Sequence, residues 1–115
     1  MRILILDDQA GLADTLALNL RVAGHSAIGF TRPAEVLAAL QEGDVLVTDY
    51  DMPEMTGLEL ARRAYAQGWR GSLLLMSGHR AAMGEVNEHP LLRMILDKPF
   101  STQTLIEALP QSKKI

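Results

Sequence analysis

The chain has 115 residues, 48% hydrophobic and 22% charged, with a formal net charge of −3 and no cysteine. That length suits one domain with a single core. The missing cysteines exclude disulfides, thiolate metal sites and thiol nucleophiles, and the mildly acidic balance gives no electrostatic reason to bind nucleic acid directly. Every apolar run stays far below the ~20 residues of a membrane span. Met1-Arg2 leads straight into a short apolar run with acids behind it, which is no export signal, so a cytoplasmic protein without membrane attachment is expected.

Short strand-type runs alternate with helical patterns along the whole chain. Ile3-Leu4-Ile5-Leu6, ending at Asp7-Asp8, fits a strand buried on both faces. Leu12, Leu16 and Leu20, with Ala13 and Ala17, recur at helical spacing, and Gly24 suits the position just past that helix. Ser26 to Phe30 is a weaker strand. Thr31 is the expected cap of a helix starting near Pro33, with Val36, Leu37 and Leu40 inward and Gly43 beyond its end. Val45-Leu46-Val47 is a second buried strand stopping at Asp49, followed by a loop to Gly57. Leu58 to Gln67 reads as a helix with Leu60 and Ala64 inward, closed by Gly68; Tyr65 and Trp69 are expected to pack at the surface. Leu73-Leu74-Leu75-Met76 is the third buried strand, ending at Ser77-Gly78. A short helix is expected over Ala81 to Glu88, a last strand over Arg93 to Leu96 ending at Asp97-Lys98, and a final helix capped by Ser101 and stopped by Pro110. The result is a (βα)5 α/β domain over residues 1–110 with a parallel sheet covered on both faces, and a tail over 111–115.

Polar residues stand at the carboxyl ends of the clear strands: Asp7 and Asp8, Asp49, Ser77 and Lys98. In an open α/β sheet these ends share one rim, where ligands bind. Carboxylates gathered at about 5 Å repel by roughly 3 kcal/mol per pair at an effective dielectric of 20. Such a cluster calls for a cation or a raised pKa. Oxygen ligands without His or Cys favour a hard ion such as Mg²⁺. Lys98 suits a phosphoryl oxygen, Ser77 can donate to another, and an aspartate can serve as nucleophile. The set reads as metal-assisted phosphoryl transfer to a carboxylate. The scattered His25, His79 and His89 do not make a metal site, and no P-loop or G-x-G-x-x-G is present.

The blocks Ile5-Leu6-Asp7-Asp8, Asp49-Tyr50-Asp51-Met52-Pro53-Glu54-Met55-Thr56-Gly57, Leu75-Met76-Ser77-Gly78 and Lys98-Pro99-Phe100, in this order, resemble the signature of response-regulator receiver domains, of the CheY-like superfamily. The resemblance implies a flavodoxin-like five-stranded sheet in order 2-1-3-4-5. It implies phosphorylation of Asp49, with Mg²⁺ held by Asp8, by Asp7 largely through water, by Asp49 and by the backbone carbonyl of Asp51. Ser77 would move toward the phosphoryl group, Lys98 would pair with Asp49 and later with the phosphate, and Lys98-Pro99 would be cis. The implied donor is a sensor histidine kinase or a histidine phosphotransfer protein. The implied target is an output domain or partner of a two-component phosphorelay, with a homodimer as a further possibility.

The chain departs from that pattern at three places. Ile95 stands three residues before Lys98, where family members carry an aromatic switch, so output must use loop or helix displacement. Glu88-His89-Pro90-Leu91 replaces a small Gly-Ala turn before the last strand. Asp51 and His79 occupy the positions that tune phosphoryl lifetime in the family. Two other readings stay open: a degenerate receiver that binds partners without phosphorylation, and an aspartate-nucleophile phosphatase, since Asp49-Tyr50-Asp51 is also a D-x-D at a strand end.

Overall fold

The structure, a computed structural model, describes residues 1–78 and 89–110. Three continuous apolar segments, β1 (Arg2–Leu6), β3 (Val45–Asp49) and β4 (Ser72–Ser77), lie in the middle of a five-stranded parallel sheet. The outer positions go to β2 (Ser26–Phe30) and β5 (Leu92–Asp97), giving the order β2-β1-β3-β4-β5. Burial on both faces explains why the central strands do not alternate: Ile3, Leu4, Ile5, Leu6, Leu46, Val47 and Leu73 to Met76 are fully enclosed. The edge strands are only partly buried, and Ile28 and Met94 are exposed.

Four helices cover the sheet among the described residues: α1 (Ala10–Val22), α2 (Pro33–Ala39), α3 (Gly57–Ala66) and α4 (Thr102–Ala108). Side chains on alternate strand positions point to opposite faces. Ile3, Ile5, Val45, Val47, Leu74 and Met76 therefore pack against Leu16, Leu20 and Leu105 of α1 and α4. Leu4, Leu6, Leu46, Leu73 and Leu75 pack against Val36, Leu58, Leu60 and Ala64 of α2 and α3. Ser101 caps α4 as expected, its Oγ accepting from the Thr104 N–H at 3.1 Å, and Thr56 caps α3 in the same way through the Glu59 N–H.

Two local expectations fail. The residue capping α2 is Arg32, not Thr31, and no side chain bonds to the helix start; Pro33 sets the first turn instead. Trp69 is buried, not superficial. Gly68, at φ 108°, turns the chain back after α3, and the Trp69 indole then donates to the Asp44 carbonyl at 3.0 Å. Asp44 is itself held by Arg2 (Nη2 to Oδ2, 2.6 Å), closing the end of the sheet opposite the strand carboxyl ends. The expected helix over 81–88 and the tail over 111–115 lie outside the described residues.

Candidate phosphoacceptor site

The strand order reverses direction between β1 and β3, so their carboxyl ends flank an open crevice. Asp7 and Asp8 directly follow β1, Asp49 ends β3, Ser77 ends β4, and Lys98 directly follows β5. The ladder continues past the strands: Asp7 N–H donates to the Phe30 carbonyl, Tyr50 N–H to Met76 at 2.8 Å, and Lys98 N–H to Ser77 at 2.8 Å. These bonds fix the backbone from which each functional side chain departs.

One carboxylate oxygen from each of Asp7, Asp8 and Asp49 lies within 4.8 Å of the others, the expected convergence of acids far apart in sequence. Asp7 and Asp49 are buried and Asp8 is exposed. Lys98 bridges the two buried acids, with Nζ 2.9 Å from Asp7 Oδ2 and 3.4 Å from Asp49 Oδ1. The closer partner is Asp7, whereas the sequence pointed to Asp49. The other oxygen of Asp7 accepts from the Gln9 N–H at 2.9 Å, so both Asp7 oxygens are engaged.

Burial pushes the Asp49 carboxyl above the usual aspartate value; Lys98 pulls it down, and Asp7 and Asp8 push it up again. Lys98 gives Asp49 only part of its field because it leans on Asp7. Burial also works against the Lys98 ammonium. Its hydrogen bond to Asp7 and the charges of Asp49 and Asp7 outweigh burial and hold its pKa above the ordinary lysine value. The acids thus form a cluster with less positive charge than it needs. A set made only of carboxylate oxygens fits a hard divalent cation.

Ser77 is buried at the end of β4, and Asp51 is exposed in the loop after β3. Lys98-Pro99 is cis. Ile95 is half-buried on β5 opposite Leu75 and packs into the core on the α2–α3 side. His79 lies outside the described residues. On one flank of the site, Leu12, Leu16, Met76, Lys98, Pro99 and Phe100 line an apolar hollow of about 170 Å³.

One contact escaped the sequence. Gly57 opens α3 directly against the end of β3, its N–H donating to the Tyr50 carbonyl at 2.8 Å. A Cβ there would lie 2.4 Å from the Asp49 carbonyl oxygen and 3.0 Å from Thr48 Cγ2. The only hint in the sequence was the glycine itself, which served equally well as a helix entry.

The model of the response regulator receiver domain family matches residues 3–110. The chain is 32% identical over 111 residues to the response regulator receiver protein CpdR of Brucella abortus, covering 94% of this chain and 92% of that protein. It is 31% identical over 112 residues to the transcriptional regulatory protein FixJ of Azorhizobium caulinodans, of which it spans only 53%. Among solved structures it resembles a CheY-like receiver domain from Methylobacillus flagellatus (TM-score 0.80, 23% identity, covering 91% of this chain and 92% of that one). It also resembles the response regulator TrrA of Thermotoga maritima in complex with Mg²⁺-BeF (TM-score 0.76, 22% identity, covering 92% and 93%). The chain belongs to the response regulator receiver domains, the signalling domains of two-component systems. No helix among its described residues is long and apolar enough to cross a membrane.

Proposed function

We propose that this receiver accepts a phosphoryl group on Asp49 from a phosphohistidine donor, in a Mg²⁺-dependent reaction, and acts as a phosphorylation-controlled switch. The observation that carries the reading is the convergence of Asp7, Asp8 and Asp49 around a point that Lys98 also borders. An Asp49 carboxylate oxygen attacks phosphorus, the new O–P bond forms as the P–N bond to the donor imidazole breaks, and the imidazole leaves with the bonding pair. Lys98, already 3.4 Å from Asp49, is placed to pair with a phosphoryl oxygen, and the Ser77 hydroxyl to donate to another. Asp8 and Asp49 would hold Mg²⁺ directly, together with the Asp51 carbonyl. Asp7, with both oxygens engaged, would reach it through water. When bound, the ion neutralises charge on the transferring phosphoryl group and favours the ionised form of Asp49. The apolar hollow beside Lys98 supports contact with a protein donor, a sensor kinase or phosphotransfer protein. Asp51 and His79 are proposed to set the lifetime of the acyl phosphate.

The test is intact-mass analysis after incubation with acetyl phosphate and Mg²⁺. One added phosphate is expected, and none when EDTA is present from the start or in Asp49→Asn. Label at another residue, or none, overturns the proposal.

A further inference from the structure

His89 is buried at the start of the segment leading into β5, away from the acceptor site, and the phosphotransfer chemistry does not use it. Its ring is bonded at both nitrogens. The Leu91 N–H donates to Nδ1 at 3.1 Å, and Nε2 stands 3.1 Å from the Ala61 carbonyl of α3. Since Nδ1 accepts, Nε2 must carry the proton and donate to Ala61. The ring also meets the Tyr65 ring edge-on at 5.6 Å, and the Arg70 guanidinium covers Tyr65 at 3.7 Å.

We propose that His89 is a positioning residue that pins the lead-in of β5 to α3, so that occupancy of the acceptor site reaches this end of β5 through α3. The inference rests on the phosphoacceptor reading. The other end of the route is already tight: α3 starts at Gly57, bonded to Tyr50 and pressed against the Asp49 carbonyl. Both ends of β5 are therefore tied to the site. Lys98 touches the acids directly, and His89 is linked to them through the first half of α3, from Gly57 to Ala61. Ile95, an aliphatic side chain without a polar tip, lies between them. The pin supplies a second route in a receiver that lacks an aromatic residue at that position.

The experiment is amide NMR and hydrogen exchange on the whole chain, with and without Mg²⁺ and beryllofluoride, for wild type, His89→Phe and His89→Gln. The Phe variant keeps an aromatic ring but loses both bonds, whereas Gln can still donate to Ala61. In wild type, ligand should shift amides at Asp49 and Lys98, along α3 at Ala61 and Tyr65, and at Leu91 and Leu92. In His89→Phe the shifts at Asp49 and Lys98 should persist while those at Leu91 and Leu92 vanish, and the Leu91 amide of the unliganded protein should exchange about tenfold faster. His89→Gln should retain the Leu91 and Leu92 response in part. An unchanged response in His89→Phe, or no response along α3 in wild type, overturns the proposal. If His89→Phe does not fold, a reduced Leu91 and Leu92 response in a folded His89→Gln supports the pin, and a full response there overturns it. Absence of any shift at Asp49 in wild type instead overturns the acceptor reading, and this inference with it.

Discussion

Lys98→Met tests the electrostatic reading of the site most directly. The substitution keeps much of the side-chain volume and removes the positive charge that borders Asp7 at 2.9 Å and Asp49 at 3.4 Å. At an effective dielectric of 20 these attractions are roughly 5 to 6 kcal/mol each. Desolvation of the ammonium and the ordering of a long side chain oppose them, the latter by up to about 2 kcal/mol. Breaking a buried pair costs about 3–5 kcal/mol because the partner charge is left behind. The Lys98 side chain is 24% exposed while that of Asp7 is 1% exposed, which argues for the lower end, about 3 kcal/mol. With a urea slope of about 2 kcal/mol/M, the midpoint should fall by about 1.5 M at pH 7 in EDTA. Saturating Mg²⁺ should recover part of the loss, because the ion supplies positive charge to the same oxygens. The sign also fixes an alkaline limb. The folded-state pKa of Lys98 is raised, so its contribution is fully present below the unfolded value of about 10.4 and is lost as pH rises through the higher folded value. Wild type should lose stability there and Lys98→Met should not share that loss. Equal urea midpoints for the two proteins in EDTA would refute the reasoning, since Lys98 would then be a surface charge of no consequence.

Asp49→Asn should move in the opposite direction. The Asp49 pKa is raised in the folded protein by burial, against Lys98 and with Asp7 and Asp8, so its contribution is present below the unfolded value and lost as pH climbs through the folded one. At pH 7 without metal the Asn variant should show a higher urea midpoint than wild type, with the difference shrinking in acid and with added Mg²⁺; a lower midpoint in EDTA refutes this. Gly57→Ala should lower the midpoint by an amount equivalent to about 2–3 kcal/mol, because the added Cβ meets backbone at 2.4 Å and α3 must move away from the acceptor strand. It should also slow acetyl-phosphate labelling of Asp49, and unchanged stability and labelling would show that α3 is not set by this contact.

The middle of the fold is readable because it is buried on both sides. The runs at Ile3, Val45 and Leu73 need no partner information to be recognised as central strands, and the acids and the serine at their ends follow from strand ends alone. What could not be read depends on residues distant in the chain. Trp69 looks superficial until the turn at Gly68 carries its indole to Asp44, 25 residues away. His89 looks like a loop residue until Ala61 accepts from it across 28 positions. Thr31 satisfies a local capping preference that Pro33, fixing φ two residues further on, makes unnecessary, and the cap falls on Arg32. Within the site, the resemblance names Asp49 as the partner of Lys98 and leaves out the closer one, Asp7. Asp7 prevails because the Gln9 N–H holds its other oxygen and orients it, while Asp49 has a longer contact to the ammonium.

That ranking bears on how a switch can work with Ile95 in place of a ring. One ammonium divided between two buried acids is a balance that a single added charge can tip. On the proposed function, a phosphoryl group on Asp49 would add negative charge on the side where Lys98 makes its longer contact, and would draw the ammonium from Asp7 toward Asp49. The Lys98 side chain is carried on a backbone tied to β4 and β5, its main-chain N–H bonded to the Ser77 carbonyl at the end of β4 and its chain continuing directly from β5, so a pull on the ammonium bears on that end of the strand. Displacement there would act on a strand whose far end His89 holds to α3, and α3 itself starts at Gly57, bonded to Tyr50 just after β3. A strand pulled at one end and held at the other must change its relation to its neighbours. In this receiver that would happen at the edge of the sheet, beside Met94, the most exposed large apolar side chain on β5.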